Sequence, residues 1–90
     1  MHEHSLMKSL ISKISITVEQ NGGIFASRIT VTLGALSNMS PDHFREHFEE
    51  AARGSVAQDA ILDIRVNDDI HHEDSQWIRL ESVDVETEET

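Results

Sequence analysis

The spacing of apolar residues predicts two helices, the first over residues 3–20. Apolar side chains recur there three and four positions apart, which makes one helical stripe: Leu6, Met7, Leu10, Ile11, Ile14 and Val18. Ile14, Ile16 and Val18 also alternate, and β-branched residues favour strands. We expect a helix, because the helical period persists for four turns and the alternation for only five residues. Asn21-Gly22-Gly23 then provides a stop signal.

The second predicted helix, residues 41–53, carries strong local signals at its start. Ser40 suits the N-cap, Pro41 the first helical position, and Asp42 the positive end of the helix dipole. Gly54 ends the helix. Its expected inward face consists of Phe44, Phe48, Ala51 and Ala52.

Three segments alternate as half-buried strands do, over residues 24–33, 60–66 and 76–86. In the last segment, Ile78 and Leu80 alternate with polar residues, and the alternation begins again at Val83 after one extra residue. In a regular strand, this extra residue would place Val83 and Val85 on the opposite face from Ile78 and Leu80. We therefore predict a β-bulge near Glu81 and Ser82, which keeps all four on the same face.

The predicted order is helix, strand, helix, strand, strand. This favours an α+β fold in which two helices pack on one face of a three-stranded sheet. We expect the last two strands to form an antiparallel hairpin, because a short segment links them. The chain is expected to be one domain over residues 1–86, followed by a disordered acidic tail at 87–90.

Composition excludes several classes of function. Seventeen acidic and seven basic residues give a formal net charge of −10, which disfavours binding to nucleic acid or to an anionic membrane. Without cysteine there is no disulfide and no cysteine-based zinc or iron–sulfur site. We find no signal peptide or membrane-spanning run and expect a cytoplasmic protein. No nucleophile triad or nucleotide-binding motif is present, so we do not expect an enzyme.

The densest candidate chemistry lies in the first four residues, Met1-His2-Glu3-His4. The α-amine of Met1, which we expect to be retained, can bind one metal ion together with the amide and imidazole of His2. Glu3 or a ligand from a partner can complete a square plane. Such a nitrogen and oxygen set suits Ni(II) or Cu(II). His4 is either a supplementary ligand or an exposed residue of the first turn.

Two further clusters have both a metal-binding and a structural interpretation. His43 and His47 lie four apart in the second helix, a spacing that can chelate zinc, and Glu50 follows on the same stripe. The favoured interpretation is a polar flank of an amphipathic helix. The loop 67–75, with His71 and His72 among acidic residues, is favoured as a solvated loop over a weak cation site.

Several motifs, in collinear order, resemble the hydrogenase nickel incorporation protein (HypA/HybF) family. They are Met1-His2-Glu3, Val31-Thr32-Leu33-Gly34-Ala35-Leu36-Ser37, Pro41, Phe48-Glu49, Ala60-Ile61-Leu62-Asp63-Ile64 and the closing strand 78–86. The resemblance implies a metallochaperone that binds Ni(II) at Met1, His2 and Glu3. It also implies a maturation GTPase and the [NiFe] hydrogenase large subunit as partners, with a homodimer as one further possibility. The alternative function is an adaptor in hydrogenase assembly that acts by protein contact alone.

Two features depart from the family pattern. Family members carry a zinc-binding module with two Cys-x-x-Cys pairs between the last two strands, where this chain has only the residues of the 67–75 loop. We therefore expect no structural zinc. Some members also have an acidic residue at the start of the second helix, where this chain has Ser40, with Asp42 close by.

Overall fold

The computed structural model describes residues 2–71 and 77–87, with side chains from residue 4 onward. The elements are α1 (His2–Gln20), β1 (Phe25–Leu33), α2 (Pro41–Ala52), β2 (Ile61–Val66) and β3 (Ile78–Glu86). This confirms the predicted order and the α+β class, with boundaries that differ by one or two residues. Residues 88–90, most of the predicted tail, lie outside the described residues.

The three strands form one sheet in the order β2-β1-β3. β1 is parallel to β2 and antiparallel to β3. The last two strands therefore run in opposite directions, as predicted, but β1 lies between them and they do not pair as a hairpin. The physical reason is burial: Ile29, Val31 and Leu33 are fully covered, which suits β1 to the centre of the sheet. The crossover through α2 then places β2 parallel on one side, which leaves the other side for β3.

The register between β1 and β3 confirms the predicted bulge. Thr30 lies opposite Ser82 and Val31 lies opposite Leu80, so Glu81 is the extra residue. Its insertion returns Val83 to the helix-facing side of the sheet, where it is half-buried. A second register shift, between Ala26 and Arg28 of β1, was not anticipated from the sequence.

Both helices pack on one face of the sheet, as predicted. In α1, Ile14 and Val18 are 0% and 2% exposed whereas Ile16 is 50% exposed, which confirms the helical interpretation of this segment. In a strand all three would share one face. From α2, Phe44 and Phe48 enter the core with their rings 5.9 Å apart.

The opposite face of the sheet is mostly polar, with Ile61 exposed beside Arg28. Arg28 of β1 forms an ion pair with Asp63 of β2 there, and both side chains are partly exposed. Thr30, in the middle of this face, is only 5% exposed. Among the described residues, no helix is long and apolar enough to cross a membrane.

Candidate metal centre at the amino-terminal ends of the helices

Contacts at the carboxyl end of α1 determine where its first turn lies. Gly23 N donates to Val18 O at 2.9 Å, and Ile24 N donates to Glu86 O at 2.8 Å, which fixes the end of α1 beside the start of β1. A Cβ on Gly23 would lie 2.0 Å from Val85 Cγ1 and 3.1 Å from Glu86 O. Only glycine allows this close approach, so α1 turns directly back into β1.

The lengths of the elements then place both helix starts at one end of the molecule. A 19-residue helix spans about 28 Å and a nine-residue strand about 30 Å, so α1 begins level with the carboxyl end of β1. α2 starts after the loop that leaves this same end. Because α2 links two parallel strands, it runs antiparallel to β1, as α1 does. The two helices are therefore parallel, and their amino termini lie at the same end.

The start of α2 has the predicted cap. Ser40 has an extended backbone, with φ −78° and ψ 159°, and its Oγ accepts a hydrogen bond from His43 N at 3.2 Å. Pro41 occupies the first turn, and Asp42 is exposed beside it. Ser40 thus has a structural role at the start of the second helix, where the family resemblance implies an acidic residue in only some members.

The structure describes the backbone of two residues of the predicted nickel motif. His2 and Glu3 lie in the first turn of α1, while their side chains and all of Met1 lie outside the described residues. Amides of a first helical turn have no acceptor within the helix. A metal ion could therefore displace the amide protons of His2 and Glu3 to solvent and bind the amide nitrogens without breaking a helical hydrogen bond. His4 is exposed in the same turn.

His43 and His47 of α2 are in contact. Their ring centroids lie 4.5 Å apart at 50°, with His43 exposed and His47 half-buried. Within the part of the chain that the structure describes, no three His, Asp or Glu side chains are arranged to hold a metal ion. Glu50 therefore does not join the pair as a third ligand.

The start of the loop after β2 is held by its own polar groups. Asp69 N donates to Asn67 Oδ1 and His71 N donates to Asp69 Oδ1, each at 2.9 Å. These bonds use the acidic and amide side chains to form successive turns, which fits the favoured interpretation of a solvated loop. His72 and the acidic residues after it lie outside the described residues.

Comparisons with known proteins agree with the motif resemblance. The family model described as "Hydrogenase/urease nickel incorporation, metallochaperone, hypA" matches residues 1–71. The hydrogenase maturation factor HypA of Rhizobium leguminosarum bv. viciae is 38% identical over 64 residues, which are 71% of this chain and 57% of that protein. The HypA of Methanosarcina mazei is 31% identical over 62 residues, 69% of this chain and 45% of that protein. The chain thus spans about half the length of the curated relatives it matches.

Solved structures show the same fold. The solution structure of the Ni metallochaperone HypA from Helicobacter pylori has a TM-score of 0.82 at 23% identity, covering 96% of this chain and 98% of that chain. A second HypA solution structure has a TM-score of 0.75 at 25% identity, covering 94% of this chain and 96% of that chain. With the family match over most of its residues, the chain belongs to the HypA family of nickel incorporation proteins.

Proposed function

We propose that this chain is a non-enzymatic nickel-handling module for hydrogenase maturation, which holds Ni(II) at Met1, His2 and Glu3. The observation that carries the proposal is the family match, which begins at residue 1 and includes the Met-His-Glu motif. The matched relatives are named as hydrogenase maturation factors, and one solved relative as a nickel metallochaperone.

The position of the motif supports metal transfer. The α-amine of Met1 and the amide and imidazole of His2 can form fused chelate rings, and Glu3 can supply a fourth ligand. Such tetragonal nitrogen and oxygen sets suit Ni(II), although Cu(II) binds comparable ligands more tightly. A site at the first turn of a helix is open on one side, so ligands from an acceptor protein can replace its ligands one at a time. The net charge of −10 raises the local concentration of cations.

The proposed partners are a maturation GTPase, which would act with this chain, and the hydrogenase large subunit, which would receive the metal. With no cysteine in its sequence, the chain has no ligands for the two Cys-x-x-Cys pairs of the family's zinc module. Its proposed contribution to maturation therefore rests on the nickel motif and not on a cysteine-based zinc site. A cytoplasmic location fits these partners, and the proposal is compatible with either a monomer or a homodimer.

A second candidate function is an adaptor that supports assembly without binding nickel. The observation in its favour is that the chain matches only about half the length of its curated relatives. The sheet offers two outer strands, β2 and β3, whose free edges could pair with an extended segment of another protein.

Calorimetric titration with Ni(II) distinguishes the two candidates. The untagged chain, beginning at Met1, is compared with His2→Ala and with His71→Ala, a matched control because His71 is an exposed histidine outside the motif. We expect micromolar binding that His2→Ala weakens strongly and His71→Ala leaves unchanged. Equal binding by the chain and by His2→Ala would refute the nickel site at Met1, His2 and Glu3, whereas no binding by the original chain would favour the adaptor.

The role of the α-amine is tested separately by adding two residues before Met1. If the amine is a ligand, the extension should weaken Ni(II) binding while the fold, followed by circular dichroism, stays the same. Unchanged affinity would remove the amine from the ligand set and leave the imidazole of His2 in it.

A further inference from the structure

His43 and His47 of α2 are two potential metal ligands that do not belong to the proposed nickel motif. Four residues apart on a helix, the two rings lie one above the other, and their centroids are 4.5 Å apart. Histidines at this helical spacing can together bind one metal ion. The backbone between them is a regular helix held by its cap, so the spacing is fixed before any metal binds.

The packing of α2 shows which way the pair faces. Phe44 and Phe48 point into the core, and Arg45 Nη2 donates to Leu62 O of β2 at 3.2 Å, which marks the flank of α2 beside that strand. At 100° per residue, His43 and His47 lie on the other side of Phe44 from Arg45. Their flank is therefore turned away from β2 and toward α1, the other helix on this face of the sheet.

We propose that His43 and His47 form a second site for a divalent transition-metal ion, independent of the Met1, His2 and Glu3 set. Imidazole nitrogen is a ligand that suits Cu(II), Ni(II) and Zn(II). The pair supplies two ligands, and the remaining coordination positions are filled by water or by side chains of a protein that delivers or receives the ion. Because the two helices are parallel and begin at the same end, the pair lies at the end of the molecule that carries the nickel motif.

The site is tested in the His2→Ala chain, in which the first site lacks its imidazole ligand. Ni(II) alone is the probe, and binding is followed by calorimetry and by NMR of the imidazole nitrogens. We expect one equivalent to bind and to affect the resonances of His43 and His47 together. In the His2→Ala background, His43→Gln should weaken binding at least about tenfold, because the second ligand of a chelate adds affinity by acting intramolecularly.

Two control variants in the same background separate chelation from other effects. His71→Gln removes an exposed histidine that has no histidine four residues away, and Glu46→Gln removes a negative charge beside the pair on α2. Both should bind Ni(II) as the His2→Ala chain does. The proposal is overturned if the His2→Ala chain binds no Ni(II), or if either control loses as much affinity as His43→Gln.

The outcome also separates this proposal from the proposed function. Binding by the original chain that His2→Ala abolishes completely supports the amino-terminal site and refutes the pair. Binding that survives His2→Ala and is lost on adding His43→Gln supports the pair. Circular dichroism confirms the fold of each variant, which is expected because His43 is exposed.

Discussion

Substitutions of Ser40 distinguish its role as the N-cap of α2 from any effect on metal binding at the same end of the molecule. Ser40→Ala removes the Oγ that accepts the hydrogen bond from His43 N at 3.2 Å. Loss of an N-cap serine costs typically about 1 kcal/mol, and water can reach the freed amide here because Ser40 is exposed. For a domain of this size, 1 kcal/mol lowers Tm by about 4–8 °C. We therefore expect Ser40→Ala to melt about 5 °C below the original chain.

The assay is thermal and urea unfolding followed by circular dichroism. Ser9→Ala is the matched control, because Ser9 is exposed within α1 and alanine is the better helix former there. It should leave Tm unchanged or raise it slightly. If Ser40→Ala melts with the original chain, or if Ser9→Ala loses as much stability, the capping argument is refuted.

Ser40→Asp completes the series. Aspartate caps as well as serine, and its charge is favourable at a helix amino terminus by about 0.3–1 kcal/mol. We expect Tm to be maintained or raised. Because α1 and α2 begin at the same end, the new carboxylate should also strengthen Ni(II) binding at the amino-terminal motif. Unchanged nickel affinity, with the fold intact, would place position 40 out of reach of the metal.

Three further predictions concern packing and surface charge. Gly23→Ala should destabilise the fold by about 1–3 kcal/mol, since the new Cβ overlaps Val85. An unchanged free energy of unfolding, measured in urea, would contradict the close approach of Gly23 to Val85. Phe44→Ala, at a fully buried position, should cost about 3–5 kcal/mol and abolish a cooperative melt at moderate temperature; a loss under 1 kcal/mol would contradict its place in the core. A double-mutant cycle on Arg28 and Asp63 should give a coupling energy of about 0.2–1 kcal/mol that falls with added salt, because the ion pair is partly exposed. A larger coupling energy that does not depend on salt would refute the description of this ion pair as solvent-exposed.

Local signals predicted the features that depend on neighbouring residues. The start of α2 follows from Ser40 and Pro41, and the bulge follows from the change of apolar phase around Glu81. The order of the strands did not follow from such signals. A short link favoured pairing of β2 with β3, whereas the burial of Ile29, Val31 and Leu33 suits β1 to the central position, and that burial depends on the whole sheet.

The candidate site could likewise be predicted from the sequence only in part. The nickel motif can be identified from the residues at positions 1–3, and the spacing of His43 and His47 is visible in the sequence. That both helices begin at the same end, and that the histidine pair faces away from β2, depends on the parallel crossover and on the contact of Arg45 with β2. No pattern within either helix carries this information.

The central position of β1 also sets the distance that the connection from β2 to β3 must span. Asn67 N donates to Leu33 O at 3.0 Å, and Gly34 N donates to Trp77 O at 2.9 Å, so the end of β1 holds the chain on both of its sides. These two anchors stand two strand spacings apart, about 9.5 Å, whatever lies between them. The entropy of closing such a connection grows only slowly with its length. The connection between these anchors can therefore vary in length at a small cost in stability.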